Sequence, residues 1–374
     1  MGQHYLKSLF SPESVAIFGA SDRIDSVGQI VLSNMLKSGY KGALFPINPK
    51  HEEIQGNRAY ASLFQVSEIV ELAVVATPAQ SVPDIIEDCG KHGIKAAVII
   101  SAGFSETGAT GQTLERAVLE NARRYGIRLL GPNCLGIMRP DRGLNATFNK
   151  GSANAGNLAF VSQSGALCTA ILDWAQTNDV GFSSVVSLGS TADVDFGEIL
   201  DYLVTDQLTQ NILLYIEGIR NARSFMSSLR AAARIKPVIL VKVGRHAAGS
   251  KAAMSHTASL VGSDDAFDAA VRRAGVVRVQ TITQLFSAAK ALSCGFHPSG
   301  NRLAIVTNGG GPGVMATDHA IDLGLEMATL SDATMEQLNQ VLPPTWSLPL
   351  STRVWPSSSA WRSCSVPGKF GLRL

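Results

Sequence analysis

One unit recurs along this chain: a short, almost continuously apolar run, a loop of Gly, Ser, Asn or Pro, and then a stretch with helical periodicity. Strands covered on both faces show no polar side, so they read as unbroken runs of Val, Ile, Leu and Ala rather than as alternation. Residues 14–18, 43–47, 72–76, 96–100 and 128–130 are such runs. Between them the spacing predicts helices near 29–37, 82–92 and 113–125. In the last, Leu114, Ala117, Val118, Ala122 and Tyr125 share one face, with Glu115, Arg116, Glu120 and Arg123 expected in water. The pattern predicts a doubly wound α/β domain over residues 1–135.

Residues 136–156 turn polar and rich in Gly and Asn, which predicts a loop crossing between domains. A second βα series occupies 150–295, with strands at 158–161, 184–188, 212–216 and 238–243 and helices near 166–176, 196–204 and 222–233. A further helix at 264–274 leads through 276–279 into another at 282–292. After the turn signal HPSGN, a third unit opens with a strand at 303–307, the glycine loop NGGGPG and a helix at 314–323. Residues 300–346 hold too few elements to close a core and read as the start of an incomplete α/β domain. From 347 to 374 no acidic residue occurs, and Trp346, Trp355 and Trp361 lie at or beside the change. That tail reads either as unrelated replacement sequence, such as a product of another reading frame, or as an ordinary disordered terminus.

Charged residues make up 17%, with 32 Lys and Arg against 30 Asp and Glu, so bulk electrostatics point to neither nucleic acid nor a membrane surface. The five cysteines, Cys89, Cys134, Cys168, Cys294 and Cys364, are odd in number and form no C-x-x-C, which argues against a disulfide framework or a metal site. The opening MGQHYLKSLFSPES has no signal-peptide apolar core, and no stretch approaches the ~18 apolar residues of a membrane helix. A soluble cytoplasmic protein is expected.

Ligands of an open parallel sheet bind at its carboxyl edge, so the loops after the strands carry the chemistry. Strand one ends in Gly19-Ala20-Ser21, with Gly28 before the helix; the G-x-G-x-x-G and the acidic strand-two residue of a dinucleotide site are missing. Strand two ends instead in Asn48-Pro49-Lys50. A helix start with Arg23 and Lys50 suits a phosphate-rich nucleotide, although the glycines also fit a plain tight turn. Thr77-Pro78, the loop at 101–104 and Gly131-Pro132-Asn133-Cys134 extend the same edge into one cleft. Cys134 has no paired histidine and reads as a buried structural thiol.

In the second series, Ser162-Gln163-Ser164-Gly165 joins a strand to a helix and offers free N–H groups and hydroxyls to an anion. It is not a nucleophile elbow, because Ser162 stands where G-x-S-x-G needs glycine. His256, in Met254-Ser255-His256-Thr257-Ala258, sits among small residues that would let an imidazole swing; the plain alternative is a polar loop residue. Glu217 ends the strand at 212–216. It either orients an imidazole through one nitrogen, leaving the other to attack phosphorus, or is a surface acid.

Taken in order, GAS…VG, NPK, ATPA, SAGFSE, LLGPNCLG, VSQSGAL, LGSTADVD, YIEGI and MSHTASL resemble the α-subunit-like half of succinyl-CoA ligases and NDP-forming acetyl-CoA synthetases, over residues 8–346. The resemblance implies a Rossmann-like CoA-binding domain followed by a flavodoxin-like succinyl-CoA-synthetase domain. It implies interconversion of acyl-CoA, phosphate and NDP with carboxylate, CoA and NTP through an acyl phosphate and a phosphohistidine. Carried over by motif, His256 is the phosphorylated residue, Glu217 its orienting carboxylate, and Ser162, Gln163, Ser164 and Gly165 the phosphate-holding helix start. Gly19, Ala20, Ser21, Lys50, Thr77, Pro78 and Asn133 would line the CoA site. The sequence is most similar to the CoA-ligase half of bacterial protein lysine acetyltransferase fusions. ATP or ADP with Mg enters only through an ATP-grasp domain, so the expected partners are acyl-CoA, phosphate, a small carboxylate, and an ATP-grasp subunit or a second copy. The alternative is a non-catalytic, CoA-binding regulatory portion of such an acetyltransferase. An NAD(P) oxidoreductase is disfavoured by the missing fingerprint, and the acyl group stays open.

Overall fold

A computed structural model of the chain describes residues 4–245, 264–293, 299–307, 310–341 and 352–354. It divides into two units, residues 1–294 and 295–374. His256, Cys294, Cys364, Trp346, Trp355 and Trp361 lie outside the described residues.

In the first unit a short helical turn, α1 (Lys7–Phe10), precedes β1 (Ser14–Phe18), α2 (Val27–Lys37) and β2 (Ala43–Ile47). A small hairpin of β3 (Glu53–Ile54) and β4 (Asn57–Arg58) follows, then β5 (Leu72–Val75), α3 (Val82–His92), β6 (Ala96–Ile99), α4 (Ala109–Tyr125) and β7 (Arg128–Leu130). The five long strands form a parallel sheet in the order β2-β1-β5-β6-β7. The chain leaves β1 to one side for β2 and returns to its other side for β5. The crevice between the ends of β1 and β5 is therefore a topological switch point, where the loops part and a ligand can enter.

A second sheet is built from β8 (Gly136–Arg139), β9 (Leu144–Thr147), β10 (Asn154–Ser162), β11 (Gly181–Ser187), β12 (Asn211–Ile216), β13 (Val238–Lys242) and β14 (Val277–Val279). Helices α5 (Gly165–Thr177), α6 (Phe196–Thr205) and α7 (Ala222–Ala233) connect its strands. The order β14-β13-β12-β10-β11-β8-β9 is parallel from β14 to β11, with β8 and β9 antiparallel at the edge. Here the reversal falls at β10, which has β11 on one side and β12 on the other. The fold class expected from the sequence, a Rossmann-like domain followed by a flavodoxin-like one, is the one observed.

One apolar core runs through both sheets. Val15, Ile17, Leu72 and Val74 belong to the same buried cluster as Ile137, Val161, Val186 and Leu214. The N-terminal turn closes it: Leu6, Leu9 and Phe10 are fully buried, and the Phe10 ring stacks on Tyr202 of α6 at 3.9 Å between centroids. Each such side chain contributes about 1.5–3 kcal/mol by leaving water.

The structure departs from the sequence reading in four places. Residues 136–147 are not an open crossing but the buried strands β8 and β9 joined by a short 3₁₀ turn, Pro140–Arg142. Their polar residues are satisfied internally: Arg139 pairs with Asp206 at 3.1 Å, and Thr147 Oγ1 donates to Asn145 Oδ1 at 2.7 Å. Glu115, expected in water, is buried and accepts from the Ser105 N–H at 3.4 Å. In the second unit the helix spans Gly310–Asp322, so the end of the glycine loop is its first turn, where Pro312 lacks only an N–H that a helix start leaves unpaired. Within the tail, Thr352–Val354 pairs in parallel with Ile305–Thr307. That second unit also contains Arg302–Leu303 paired with Glu326–Met327 and a helix at Asp332–Val341. Among the described residues no helix is long and apolar enough to cross a membrane.

Candidate functional site

The first switch point is shaped by glycines. Gly19, at the end of β1, has φ +84°, and a Cβ there would lie 2.5 Å from the Ala76 carbonyl oxygen after β5. A Cβ on Gly28 would lie 1.8 Å from Gly19 O, so the start of α2 sits directly on the β1 loop. Ser26 caps that helix by accepting from the Gln29 N–H at 3.4 Å. The loop is held from the side by Gln55, in the β3–β4 turn at φ +50°, whose Nε2 donates to Ser21 O and Gln29 O. Asn48 Nδ2 donates to the carbonyl of buried Ala20 at 2.8 Å, and its Oδ1 accepts from the Lys50 N–H at 2.9 Å. The Lys50 and Arg23 side chains are exposed.

Hydrogen bonds carry this edge onward. Ser101 Oγ donates to Thr77 O at 2.5 Å, and the Asn133 N–H donates to Ser101 O at 3.0 Å. Pro78 is exposed and opens the 3₁₀ turn Ala79–Ser81. Gly189, with φ +57°, packs so closely that a Cβ would meet Pro132 O at 2.3 Å, and the Ser190 N–H donates to that oxygen at 2.9 Å. The 188–195 loop is locked down by Arg128, which donates to Asp193 Oδ2 at 2.9 Å and also pairs with Glu198. Next to it the Leu135 N–H donates to Ser187 Oγ at 3.0 Å, and a Cβ on Gly165 would be 3.5 Å from Leu135 Cβ. The cleft edge thus runs straight into the start of α5.

At this second switch point the four residues 162–165 divide in two. Ser162 is fully buried; its Oγ donates to Ser164 O at 2.9 Å and accepts from the Ser164 N–H at 3.0 Å. Gln163 is buried, and its side chain binds the loop that follows β12. Ser164 caps α5 by accepting from the Leu167 N–H at 3.3 Å, which leaves its O–H to donate elsewhere. Gly165 is half-buried and Ala166 exposed, and their N–H groups begin the helix, where backbone dipoles favour an anion. Glu217 is half-buried, and its charge, after burial itself, pushes the Tyr215 phenol up to about 12. His256 lies outside the described residues.

Cys134 is a buried thiol that donates to Ile99 O at 3.3 Å, and burial pushes it up to about 12, so it is a packing residue at neutral pH. Ser101 lies on the edge where the sequence reading put its loop, whereas Gln55, Ser187 and Asp193 were given no role there. The turn signal Gly56-Asn57 marks the Gln55 hairpin; the other two reveal themselves only through partners far along the chain.

A family model described as "CoA binding domain" matches residues 13–140, and one described as "Succinyl-CoA ligase like flavodoxin domain" matches residues 155–292. An ADP-forming acetate–CoA ligase from Archaeoglobus fulgidus is 43% identical over 338 residues, 90% of this chain and 49% of that protein. The α subunit of an ADP-forming acetate–CoA ligase from Pyrococcus furiosus is 42% identical over 86% of this chain and 71% of that subunit. The solved acetyl-coenzyme A synthetase 1 of Ca. Korarchaeum cryptofilum, in complex with phosphate and ADP, superposes with a TM-score of 0.86 at 37% identity, over 92% of this chain and 74% of that one. The chain spans about half the length of several of the curated relatives it matches. Domain order, identity along both sheets and the shared fold agree, and the chain belongs to the NDP-forming acetyl-CoA synthetase family, that of the ADP-forming acetate–CoA ligases.

Proposed function

We propose that this chain is the CoA-binding, phosphohistidine part of an ADP-forming acyl-CoA synthetase that works with an ATP-grasp polypeptide. The observation that carries the reading is the continuity of the carboxyl edge. The glycine-shaped crevice at Gly19 and Gly28 leads through Thr77, Ser101 and Asn133 to the anion-favouring start of α5.

CoA is assigned to the first crevice: Gly19 and Gly28 let the β1 loop, the start of α2 and the residue after β5 approach one another at the sheet edge, and Arg23 and Lys50 stand exposed for its phosphates. Bound acyl-CoA supplies a thioester whose carbonyl carbon accepts a phosphate oxygen while the C–S bond breaks and CoA leaves as its thiolate, giving the acyl phosphate. The Ser164 O–H and the N–H groups of Gly165 and Ala166 hold the phosphate oxygens at that moment. A neutral His256 imidazole then attacks phosphorus, the P–O bond to the acyl group breaks, and the carboxylate leaves. Glu217 orients the ring by accepting its other N–H and steadies the phosphorylated form. The phosphoryl group passes to ADP on the ATP-grasp partner, which also brings Mg. A separate partner is supported by relatives named as α subunits. The ligase names of the relatives favour this reading over the regulatory portion of an acetyltransferase. Three free, buried thiols support a reducing cytoplasm.

The test is incubation of the full chain with acetyl-CoA and labelled phosphate, and then with ATP and the partner. Acid-labile label is expected on the parent and absent from His256→Asn. Glu217→Gln should lower the rate by about 10²-fold, the scale of proton-handling and orienting groups. Label persisting in His256→Asn overturns the assignment.

A further inference from the structure

We propose that Gln163 is a positioning residue for Glu217 rather than a phosphate ligand, an inference that rests on the reading above and deepens it. The residue is 7% exposed, and both ends of its amide bind the loop after β12. Oε1 accepts from the N–H of Glu217 at 2.6 Å and of Gly218 at 3.0 Å, while Nε2 donates to Gly218 O at 3.0 Å. A carbonyl oxygen has two lone pairs, and both are taken. The Gln163 N–H also donates to Tyr215 O at 3.3 Å, so the ends of β10 and β12 are tied by backbone and side chain together.

A phosphate oxygen needs donors. Gln163 retains one amide hydrogen beyond these bonds, whereas Ser164, Gly165 and Ala166 begin a helix at less buried positions. The geometry therefore separates two jobs within four consecutive residues. Ser164 and Gly165 face the anion, and Gln163 fixes the backbone that carries the carboxylate. Glutamine suits this task because one planar group offers an acceptor for two N–H groups and a donor for the carbonyl beside them. The three bonds remove the freedom of the Glu217–Gly218 peptide, so the carboxylate approaches its partner from a fixed root instead of paying the ordering entropy at each turnover.

The experiment uses the full chain with acetyl-CoA and inorganic phosphate as probes, across a range of phosphate concentrations. Gln163→Leu should lower the maximal rate of acid-labile labelling by about tenfold or more, with half-saturating phosphate unchanged. Gln163→Glu keeps acceptors for both N–H groups and should recover part of the loss. In a Glu217→Gln background, Gln163→Leu should add little, because it acts through a group already removed. A rise in half-saturating phosphate at unchanged maximal rate would make Gln163 a ligand and overturn the proposal, as would fully multiplicative losses in the double variant. Amide hydrogen exchange supplies a readout independent of turnover: Gln163→Leu should speed exchange at Glu217 and Gly218 but not at Val15 or Ala16 in β1. If the parent never labels, the proposed function fails while exchange still decides the positioning role; unchanged exchange at Glu217 and Gly218 overturns it.

Discussion

The two topological switch points, which the proposed function assigns to CoA and to phosphate, are built in different ways. At the first, the β1–β5 crevice, the polar side chains that line the opening, Lys50 and Arg23, extend into solvent, and the shape comes from missing side chains at Gly19 and Gly28. At the second, between β10 and β12, Ser162 and Gln163 turn inward and bind the neighbouring backbone. A large, flexible ligand is served by a smooth backbone surface with cations that adjust to it. A small tetrahedral anion that must react is served by donors fixed before it arrives. On the proposed function, the same sheet topology serves as a docking surface once and as a rigid cradle once.

The largest expected effect breaks the first of these. Gly28→Val places a side chain where even a Cβ would lie 1.8 Å from Gly19 O, so α2 must move away from β1. We expect a loss of about 3 kcal/mol of stability, the upper end for overpacking, together with loss of measurable CoA binding by calorimetry. Amide exchange at Glu217 and Gly218 should stay slow, since their bonds come from Gln163. If CoA affinity survives, the crevice is not the docking surface.

The sequence already contained the scaffold but only half of each site. Buried parallel strands announce themselves because nearly every residue is apolar, and β1, β2, β5, β6 and β7 fall where the apolar runs lie. β8 and β9 were hidden because Arg139, Asn145 and Thr147 look like loop residues until Asp206 and their own neighbours satisfy them. Helix α4 begins at Ala109, ahead of the apolar periodicity, because Gly111 lets it approach the Phe104 carbonyl, where a Cβ would stand at 1.8 Å. The motif at 162–165 was visible as four polar or small residues. Which of them point outward was not, since Gln163 turns in only because Glu217 and Gly218, 54 and 55 positions away, present N–H groups to it.

A second, smaller effect sharpens the contrast through salt. Lys50→Ala should weaken CoA on the order of fivefold at low ionic strength, and the difference should shrink as salt rises, because an exposed cation is screened. Calorimetry at two salt concentrations measures it. A salt-independent loss would mean that Lys50 becomes enclosed on binding, making the first site more like the second.

The smallest effect at neutral pH, and the one most specific to the second region, comes from its thiols. Cys168 lies in the first turns of α5, hydrogen-bonded with Ser162, and Cys134 is buried in the loop after β7, donating to Ile99 O; burial pushes both up to about 12 from an ordinary 9.0. A rigid cradle keeps them protonated and covered, so alkylation by iodoacetamide near neutral pH should be slow at both, read residue by residue by peptide mass spectrometry. The pH dependence has a definite sign. In the unfolded chain these thiols ionise near pH 9 while in the fold they stay neutral, so above that pH the unfolded state binds fewer protons. Stability attributable to them is intact below about pH 9 and falls as pH climbs towards 12, which urea midpoints at about pH 8 and about pH 10.5 would record. Rapid alkylation of Cys168 in the native chain at neutral pH would show that the helix start opens readily. The cradle would then be no more preorganised than the glycine crevice, and the distinction between the two switch points would fail at the atoms that define it.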